Sequence, residues 1–243
     1  MTEVAVDLTW VRHRKVGGTE SSVRNLLDGF AEINSKDYHF TLILTEENAE
    51  SFQKYSDYKC FKIAIFKVNL QHQFKRVLWQ NLKLGKYLKE NNIKICLEPV
   101  YGKPFFGNGK TGFVTIIHDL QALHYPQYFS RCRVVWMKMS WRNTVNTSKR
   151  VVVISNYVKE DVEKHFPKAK GKTGVIYDAV NINPDSLSDK EFFHRIGIKE
   201  HAYYYTVSSL LPHKNLATIV LAIAKLKEQS STAFAPLVIS GIG

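Results

Sequence analysis

The feature that most constrains the fold is a regular alternation of short apolar runs with stretches of helical periodicity. Strands that alternate with helices form βαβ units, and such units build parallel sheets. Because most of the strand-like runs are continuously apolar, helices are expected on both faces of the sheet. The predicted strands are Val4–Leu8, Phe40–Leu44, Phe61–Val68, Ile93–Leu97, Phe113–Ile117, Val151–Ile154, Gly174–Ile176, Tyr203–Val207 and Leu237–Ile239. The predicted helices are Ser21–Ile33, Phe74–Glu90, Val134–Val145, Val158–His165 and Leu216–Lys227.

A polar segment divides this alternation into a long series and a short one. Residues 181–200 are rich in Ser, Asp, Asn and Lys and interrupt the apolar pattern. We therefore predict an α/β, Rossmann-like domain over residues 1–180, a linker over 181–200, and the start of a second Rossmann-like domain over 201–243. One strand–helix–strand unit cannot close a core alone. The second domain is thus expected to be truncated or to pack on something else.

Positive charge is concentrated in the middle of the chain. Residues 60–150 hold 16 basic and 3 acidic residues, an excess larger than the net charge of +12 of the whole chain. Such a patch attracts phosphates of a nucleic acid, an anionic membrane or a phosphorylated substrate. The stretches His72–Glu90 and Arg131–Arg150 mix these bases with aromatic residues, as helices on an anionic membrane surface do. In the alternative interpretation the aromatic residues are core and only the bases are exposed. A nucleic-acid-binding protein ranks lower, since no RNA- or DNA-binding motif is present.

Three features of the sequence indicate a cytoplasmic protein that, if it meets a membrane, lies on its surface. Three cysteines without a CxxC motif indicate reduced thiols. The N-terminus carries Glu3 and Asp7 and lacks the apolar core of a signal peptide. The longest apolar run, near residues 218–224, is far shorter than the roughly 20 residues of a membrane-spanning helix.

Glycines and polar residues at strand ends are candidate ligand contacts, because ligands of open α/β sheets bind at the carboxyl ends of the strands. Gly17 and Gly18 occupy the first strand-to-helix turn, where the backbone can be approached closely and a helix N-terminus favours anions. His118 and Asp119 follow the strand Phe113–Ile117. The alternative role for His118 is a histidine satisfied by local backbone. No second ligand cluster accompanies this pair, so we predict no metal site and no cofactor.

Three more residues stand at the starts of predicted helices. Ser155 is expected chiefly to cap the helix that follows it, while lying near the cleft. His213 and Lys214 precede the helix Leu216–Lys227. A lysine there can neutralise a diphosphate while the helix N-terminus supplies N–H donors.

Together these pieces resemble the family 4 glycosyltransferases, which have two facing Rossmann-like domains, the GT-B type architecture. The resemblance covers nearly the whole chain in the family's order. It rests on Gly17–Glu20, Val114–Leu120 with Tyr125–Pro126, Val152–Tyr157 with Lys159 and Asp161, Val175–Asn181, Val207–Leu216 and Leu237–Gly241.

The resemblance implies a retaining enzyme that transfers a sugar from a nucleotide-sugar donor to a lipid-linked or saccharide acceptor in cell-surface polysaccharide synthesis. It implies that Gly17 and Gly18 lie beside the donor diphosphate and the acceptor. His118 is then expected near the donor sugar and Lys214 on the diphosphate. Positive charge that stabilises the leaving group is the expected main catalytic contribution.

This sequence departs from the family pattern in three places. Ser208 stands where an arginine is common, so His213 is expected to assist Lys214. Asp178–Asn181 reads Asp-Ala-Val-Asn in place of Asn-Gly-Val-Asp. The family's pair of donor-domain glutamates is absent from the 243 residues. This 243-residue form is therefore expected to be inactive, which leaves a catalytically inactive fragment or interaction module as the alternative function.

Overall fold

The structure is a computed structural model that describes residues 1–12, 17–68, 73–107, 109–180, 190–229 and 235–241. The chain separates into two compact units, Met1–Asn181 and Ile182–Gly243. Each unit contains parallel strands and helices, which confirms the α/β class. Much of the predicted linker, residues 181–189, lies outside the described residues.

The first unit is a seven-stranded parallel sheet with helices between the strands, and every strand predicted there is present. Its strands are β1 Thr2–Asp7, β2 Tyr38–Thr45, β3 Phe61–Phe66, β4 Ile95–Glu98, β5 Gly112–Ile117, β6 Arg150–Val153 and β7 Thr173–Val175. Its helices are α1 Gly18–Ile33, α2 Gln73–Trp79, α3 Gly85–Glu90, α4 Gln121–His124, α5 Arg131–Thr147 and α6 Asn156–His165. Shorter 3-10 helices span Ala49–Asp57, Pro126–Tyr128 and Pro167–Ala169.

The strand order of this sheet is β3-β2-β1-β4-β5-β6-β7. The order therefore changes direction between β1 and β4, whose pairing aligns Val6 with Leu97. A change of direction opens a crevice at the carboxyl ends of the two strands, and this crevice is where open α/β sheets bind ligands.

Successive residues of the central strands pack into cores on opposite faces of the sheet. Val4 and Val6 belong to a cluster that also holds Val23 and Leu27 of α1. Ala5, which lies between them, packs with residues of α3 and of the turn before it on the other face. Because both faces are covered, the strands need apolar residues at every position. The alternation of the backbone thus explains the continuous apolar runs in the sequence.

The predicted helix Phe74–Glu90 is present, with one irregular turn. A π-helical turn, Gln80–Leu84, joins α2 to α3 without a break. Such turns are frequent at functional sites, because they shift the side chains that the helix presents. Here the turn carries Gln80 and Asn81, both of which line the cavity described below.

The second unit contains the predicted strand–helix–strand motif. Strands β8 Tyr204–Val207 and β9 Leu237–Ser240 pair in parallel. Helices α7 Lys190–Arg195 and α8 Leu216–Gln229 precede and connect them, and a 3-10 turn, Pro212–Lys214, leads into α8. Among the described residues of either unit, no helix combines the length and apolarity needed to cross a membrane.

Candidate active site

A cavity of about 190 Å³ lies at the carboxyl ends of β1 and β4, where the strand order changes direction. We call it the strand-end cavity. Trp10 follows β1, Glu98 ends β4 and Tyr101 follows it, and all three line the cavity. Residues of α2, the π turn and α5 complete the wall. Its volume is below the range of about 300–1,000 Å³ of pockets that enclose a whole drug-sized ligand. The cavity can therefore enclose one group of a larger substrate.

Two carboxyl groups are buried at the floor of this region. Asp7 is fully buried; its Oδ1 accepts hydrogen bonds from the backbone N and the hydroxyl of Thr9 at 2.9 and 2.7 Å, and its Oδ2 accepts one from Gln80 Nε2. The register between β1 and β4 sets Glu98 beside Asp7. Among described residues, the Cys96 thiol is the hydrogen-bond partner of Glu98, with Sγ 4.0 Å from Oε1. Burial, and then the Asp7 carboxylate, raise the pKa of Glu98 well above its ordinary value.

Three basic side chains line the same cavity, and two of them interact with the buried acids. Arg76 and Lys103 both act to lower the pKa of Glu98, although burial and Asp7 outweigh them. Lys103 is buried; its Nζ donates to the Pro104 carbonyl at 3.0 Å. Burial lowers the pKa values of Arg76 and Lys103. The third base, Arg133, is exposed on α5. The cavity thus combines cations for an anionic group with a carboxyl group that can hydrogen-bond a hydroxyl.

Asp119 lines the strand-end cavity, and His118 lies behind it. The Asp119 carboxylate accepts hydrogen bonds from Gln121 N at 2.9 Å and from the Tyr101 hydroxyl at 3.3 Å. His118 is buried, with Nε2 3.0 Å from the carbonyl oxygen of Pro99. Since a carbonyl oxygen only accepts, Nε2 carries the proton, and Nδ1 of the neutral ring is an acceptor. The local backbone therefore holds the His118 ring, as in the alternative considered from the sequence.

One buried donor in the cavity wall has no hydrogen-bond partner among the described residues. Trp141 is fully buried on α5 and lines the cavity, and its indole Nε1–H makes no hydrogen bond there. A buried polar group without a partner costs about 1–3 kcal/mol, so such groups call for an explanation. A ligand oxygen could supply the missing acceptor once the cavity wall opens, because the Nε1 atom is not accessible from the cavity in this structure.

The first glycine turn has the conformation that the sequence predicts for a backbone approached by a ligand. Gly17 caps α1 with φ 72° and ψ −138°, a region that residues with a side chain rarely adopt. A Cβ atom built on Gly17 or Gly18 would meet no atom of the described residues within 4 Å. Close by, Ser22 of α1 donates to Asp178 and Asn25 donates to the carbonyl of Ala179 at 2.7 Å. The chain after β7 therefore runs past the first half of α1.

The other candidate residues have the local positions that the sequence predicts. Ser155 caps α6, and its Oγ accepts a hydrogen bond from Val158 N at 3.2 Å. His213 and Lys214 end the 3-10 turn before α8, within the second unit; His213 is half-buried and Lys214 is exposed. The structure thus gathers Asp119 at the strand-end cavity with Glu98, Arg76, Lys103 and Trp141.

The last four of these residues are not predicted as site residues from the sequence. In the sequence, Glu98 is one of the three acidic residues in the basic stretch 60–150. Its signal is the one used for His118, a polar residue that follows a continuously apolar run. Asp7 carries the same signal after Val4–Val6. Arg76 and Lys103 have no comparable local signal, because bases are common throughout residues 60–150.

Comparison with known families gives one extended match. The family model of Glycosyltransferase Family 4 matches residues 16–183, more than half of the chain. The O-antigen chain mannosyltransferase RfbU of Salmonella typhimurium is 27% identical over 139 residues. That alignment covers 57% of this chain and 35% of RfbU, so it spans about a third of that relative. None of these matches favours a nucleic-acid-binding protein.

Solved structures with the same fold share little sequence with this chain. Alr3699/HepE of Anabaena, solved in complex with UDP, superimposes with a TM-score of 0.56 at 15% identity, covering 98% of this chain and 60% of that one. A putative UDP-N-acetylglucosamine 2-epimerase of Listeria monocytogenes has a TM-score of 0.60 at 11% identity, covering 98% and 62%. UGT89C1 of Arabidopsis thaliana, complexed with UDP-L-rhamnose, has a TM-score of 0.52 at 11% identity, covering 98% and 69%.

Proposed function

Since this chain belongs to glycosyltransferase family 4, we propose that it is the acceptor-side part of an enzyme that transfers a sugar from a nucleotide-activated donor to a lipid-linked or saccharide acceptor. The observation that carries the proposal is the strand-end cavity, which combines cations, a buried carboxyl group and a donor without a partner. RfbU, named as an O-antigen chain mannosyltransferase, supports a role in cell-surface polysaccharide synthesis. The UDP and UDP-L-rhamnose complexes of HepE and UGT89C1 support a nucleotide-activated donor.

The lining of the cavity fits a sugar attached to a phosphate. Arg133 is exposed at the wall and can bind a phosphate, while Glu98 and the Trp141 indole are buried, where they can hydrogen-bond sugar hydroxyls. A sugar hydroxyl both donates and accepts. It can therefore pair with a carboxyl group or with an indole N–H.

Donor and catalytic roles are proposed for the residues found from the sequence. Gly17 and Gly18 leave the N-terminus of α1 open, which suits the donor diphosphate. His213 and Lys214, in the second unit, are proposed to supply positive charge to a donor diphosphate. Asp119, which lines the cavity, is proposed to act beside the reacting sugar, and His118, the buried residue before it, is proposed to position it. His118→Ala in an enzyme with both domains complete is then expected to reduce turnover strongly while the fold persists. Ser155 contributes to the cleft mainly through the helix that it caps.

Donor binding by this 243-residue chain alone is expected to be very weak. Lys214 is exposed in the described structure, and the glutamate pair that the family uses for ribose and sugar is absent from these residues. Calorimetric titration of the 243-residue chain with several nucleotide sugars tests this expectation of very weak donor binding. Micromolar affinity for any of them would show that the donor site lies elsewhere.

The experiment for the acceptor site uses a fluorescent lipid-diphosphate-linked sugar in detergent, with binding to the 243-residue chain measured by anisotropy. Trp141→Phe removes the indole N–H and keeps an aromatic ring, and Arg133→Ala removes the exposed cation. Loss of a hydrogen bond to a charged group costs about 1.5–3 kcal/mol, so Arg133→Ala is expected to weaken binding by roughly 10- to 100-fold. Trp141→Phe is expected to weaken it by roughly three- to tenfold.

The matched control is Arg131→Ala, which removes a base from the first position of α5 that does not line the cavity. Its affinity should stay within about twofold of the unchanged chain, since screened surface charges contribute little. Equal affinity in all four proteins would place the acceptor elsewhere and contradict the proposal.

A further inference from the structure

Two histidines and an aspartate meet outside the strand-end cavity, on the side of α6. His124 Nε2 lies 2.7 Å from Asp161 Oδ2, and His165 Nδ1 lies 3.1 Å from Asp161 Oδ1. The three side chains each offer one ligand atom, and these atoms lie within 4.8 Å of one another. We call these residues the His-Asp-His cluster. No pattern in the sequence predicts these three residues as a metal site.

We propose that the His-Asp-His cluster binds a divalent transition-metal ion, with Zn²⁺ as the preferred ion. Two imidazoles and one carboxylate are a ligand set that Zn²⁺ uses when it keeps an open coordination position. Tetrahedral ligands about 2.0–2.1 Å from zinc stand roughly 3.3 Å from each other. The two separations that involve Asp161, 2.7 and 3.1 Å, are slightly shorter than that value, and the ligand atoms of the two histidines lie within 4.8 Å of each other, so side-chain rotations without backbone movement can admit the ion.

The backbone of α6 fixes two of the three ligands. Asp161 and His165 are four residues apart, which places them on one face of the helix. The helix is anchored by Val158 and Val162, which are buried in the core. Metal binding therefore requires little backbone ordering at these two ligands, which keeps its entropic cost low.

The third ligand, His124, comes from a different helix, so a bound ion would connect two elements. His124 ends α4, and its ring packs edge-on against that of His165 with centroids 5.4 Å apart. The side chain of Asp161 is 11% exposed, against 37% and 33% for the two histidines, so an ion can enter from solvent to a mostly buried carboxylate. A bound ion would tie α4 to α6. It would thereby steady the segment that follows Asp119.

In this structure the side-chain atoms of the His-Asp-His cluster lie within hydrogen-bonding distance of one another. His165 Nδ1 lies 2.9 Å from the backbone carbonyl of Asp161, so it carries a proton in this arrangement. Metal binding through Nδ1 requires the other neutral tautomer of the ring, in which Nε2 carries the proton.

The test is a zinc titration of the 243-residue chain, prepared without a polyhistidine tag and stripped with EDTA. Zinc chloride is added in competition with a chromophoric chelator. One ion per chain with a micromolar or lower dissociation constant is expected. Bound zinc should also raise the melting temperature, because it binds only the folded state strongly.

Two variants and one control identify the ligands. The double variant His124→Ala/His165→Ala should bind zinc roughly 100-fold or more weakly and lose the zinc-dependent rise in melting temperature. Asp161→Asn keeps the shape of the side chain and should weaken binding at least about tenfold. The control is His39→Ala, because His39 pairs with Glu3 at 3.7 Å and belongs to no ligand group of three among the described residues.

Zinc affinity that is unchanged in both the double variant and Asp161→Asn would overturn the proposal, as would an unmodified chain that binds no better than the double variant. Circular dichroism of the stripped variants shows whether each is folded. If the double variant does not fold, Asp161→Asn decides the outcome. This inference does not depend on the proposed transferase function.

Discussion

At the residue scale, the unusual feature of this protein is a carboxyl group buried beside another one. Glu98 is 2% exposed and Asp7 is fully buried, and the strand register makes them neighbours. Asp7 is supplied with hydrogen bonds from Thr9 and Gln80, whereas the Glu98 carboxylate has only a distant thiol partner among the described residues. Such an arrangement favours the protonated form of Glu98 and prepares it to hydrogen-bond a substrate.

Replacing this carboxyl group is expected to change how stability depends on pH. Because burial raises the pKa of Glu98 in the folded state, the folded protein retains a proton that the unfolded chain releases above about pH 4.3. Stability therefore falls as the pH rises from that value to the folded-state pKa. Glu98→Gln removes the ionisable group, and with it this loss of stability. Urea unfolding is expected to show the variant more stable than the unchanged chain at pH 7, with the difference shrinking below pH 4.

The matched control is Glu90→Gln, at an exposed glutamate 3.6 Å from Lys86 on the same helix. Glu90→Gln should change the free energy of unfolding by no more than about 0.5 kcal/mol at every pH, since exposed ion pairs contribute little. If Glu98→Gln destabilised the protein at pH 7 while Glu90→Gln did not, the buried carboxylate would be ionised and stabilising, contrary to the argument.

Gly17 supplies a second test at the residue scale. Its φ of 72° and ψ of −138° suit glycine alone, and holding another residue there costs on the order of 1–3 kcal/mol. Gly17→Ala should lower the free energy of unfolding of the first unit by about that amount. Gly18→Ala is the control, because Gly18 begins α1 and also faces open space. Equal effects of the two substitutions in urea unfolding would show that strain at Gly17 is not the cause.

At the scale of elements, α2 and the π turn present apolar side chains to solvent. Phe74, Leu78 and Leu82 are 77%, 47% and 60% exposed. Lys75 and Lys83 are exposed beside them. On α5, by contrast, Trp141 is core while Trp136 and Met139 are exposed. The aromatic and apolar residues of these basic helices are therefore divided between core and surface, so neither interpretation from the sequence holds throughout.

The exposed face of α2 is expected to attach the protein to anionic lipid. Burying a Phe or Leu side chain contributes about 1.5–3 kcal/mol, so Phe74→Ser/Leu78→Ser should reduce binding to anionic vesicles by at least about tenfold in flotation. Binding of the unchanged chain should weaken as salt is raised, because the lysines contribute through screened attraction. Ile33→Ser/Tyr157→Ser, at two residues each 72% exposed on other helices, is the control and should float normally. Binding that is absent at low salt or indifferent to salt would contradict peripheral attachment.

At the scale of the whole molecule, the two units differ in how much apolar surface they bury. The first unit has three buried clusters. In the described part of the second unit the only buried residue is Ser208, and α8 has no buried side chain. An apolar groove there is lined by Leu210, Leu216 and Val220 among others. A unit with so little buried surface gains little stability from folding.

This difference predicts unequal protection from hydrogen exchange. Amides of β8 and β9 should exchange roughly 100-fold faster or more than those of β1 and β4, because local opening of the second unit exposes little new apolar surface. Mass spectrometry of peptides from the 243-residue chain provides the measurement. Peptides of α4 serve as an internal reference for a short helix of the first unit. Equal protection of β8 and β1 would contradict this prediction. It would mean that the second unit buries more apolar surface than its described residues show.

Much of the fold could be predicted from the sequence, because the period of apolar residues is a local property. An apolar run such as Val114–Ile117 or a helical stretch such as Leu216–Lys227 reflects the geometry of one element, and each was found within a few residues of its observed bounds. The same local reasoning located Asp119 at a strand end and Ser155 at a helix start.

Which residues meet was decided only by the tertiary structure, since strand order and helix packing join parts of the chain that are distant in sequence. Asp7 and Glu98 are neighbours because β1 pairs with β4, after two intervening strands. His124 reaches Asp161 because α4 and α6 pack on one core. No local pattern encodes these contacts. The sequence by itself therefore determined the elements and the edge of the sheet where ligands bind, and the packing of the sheet determined the set of side chains at that edge.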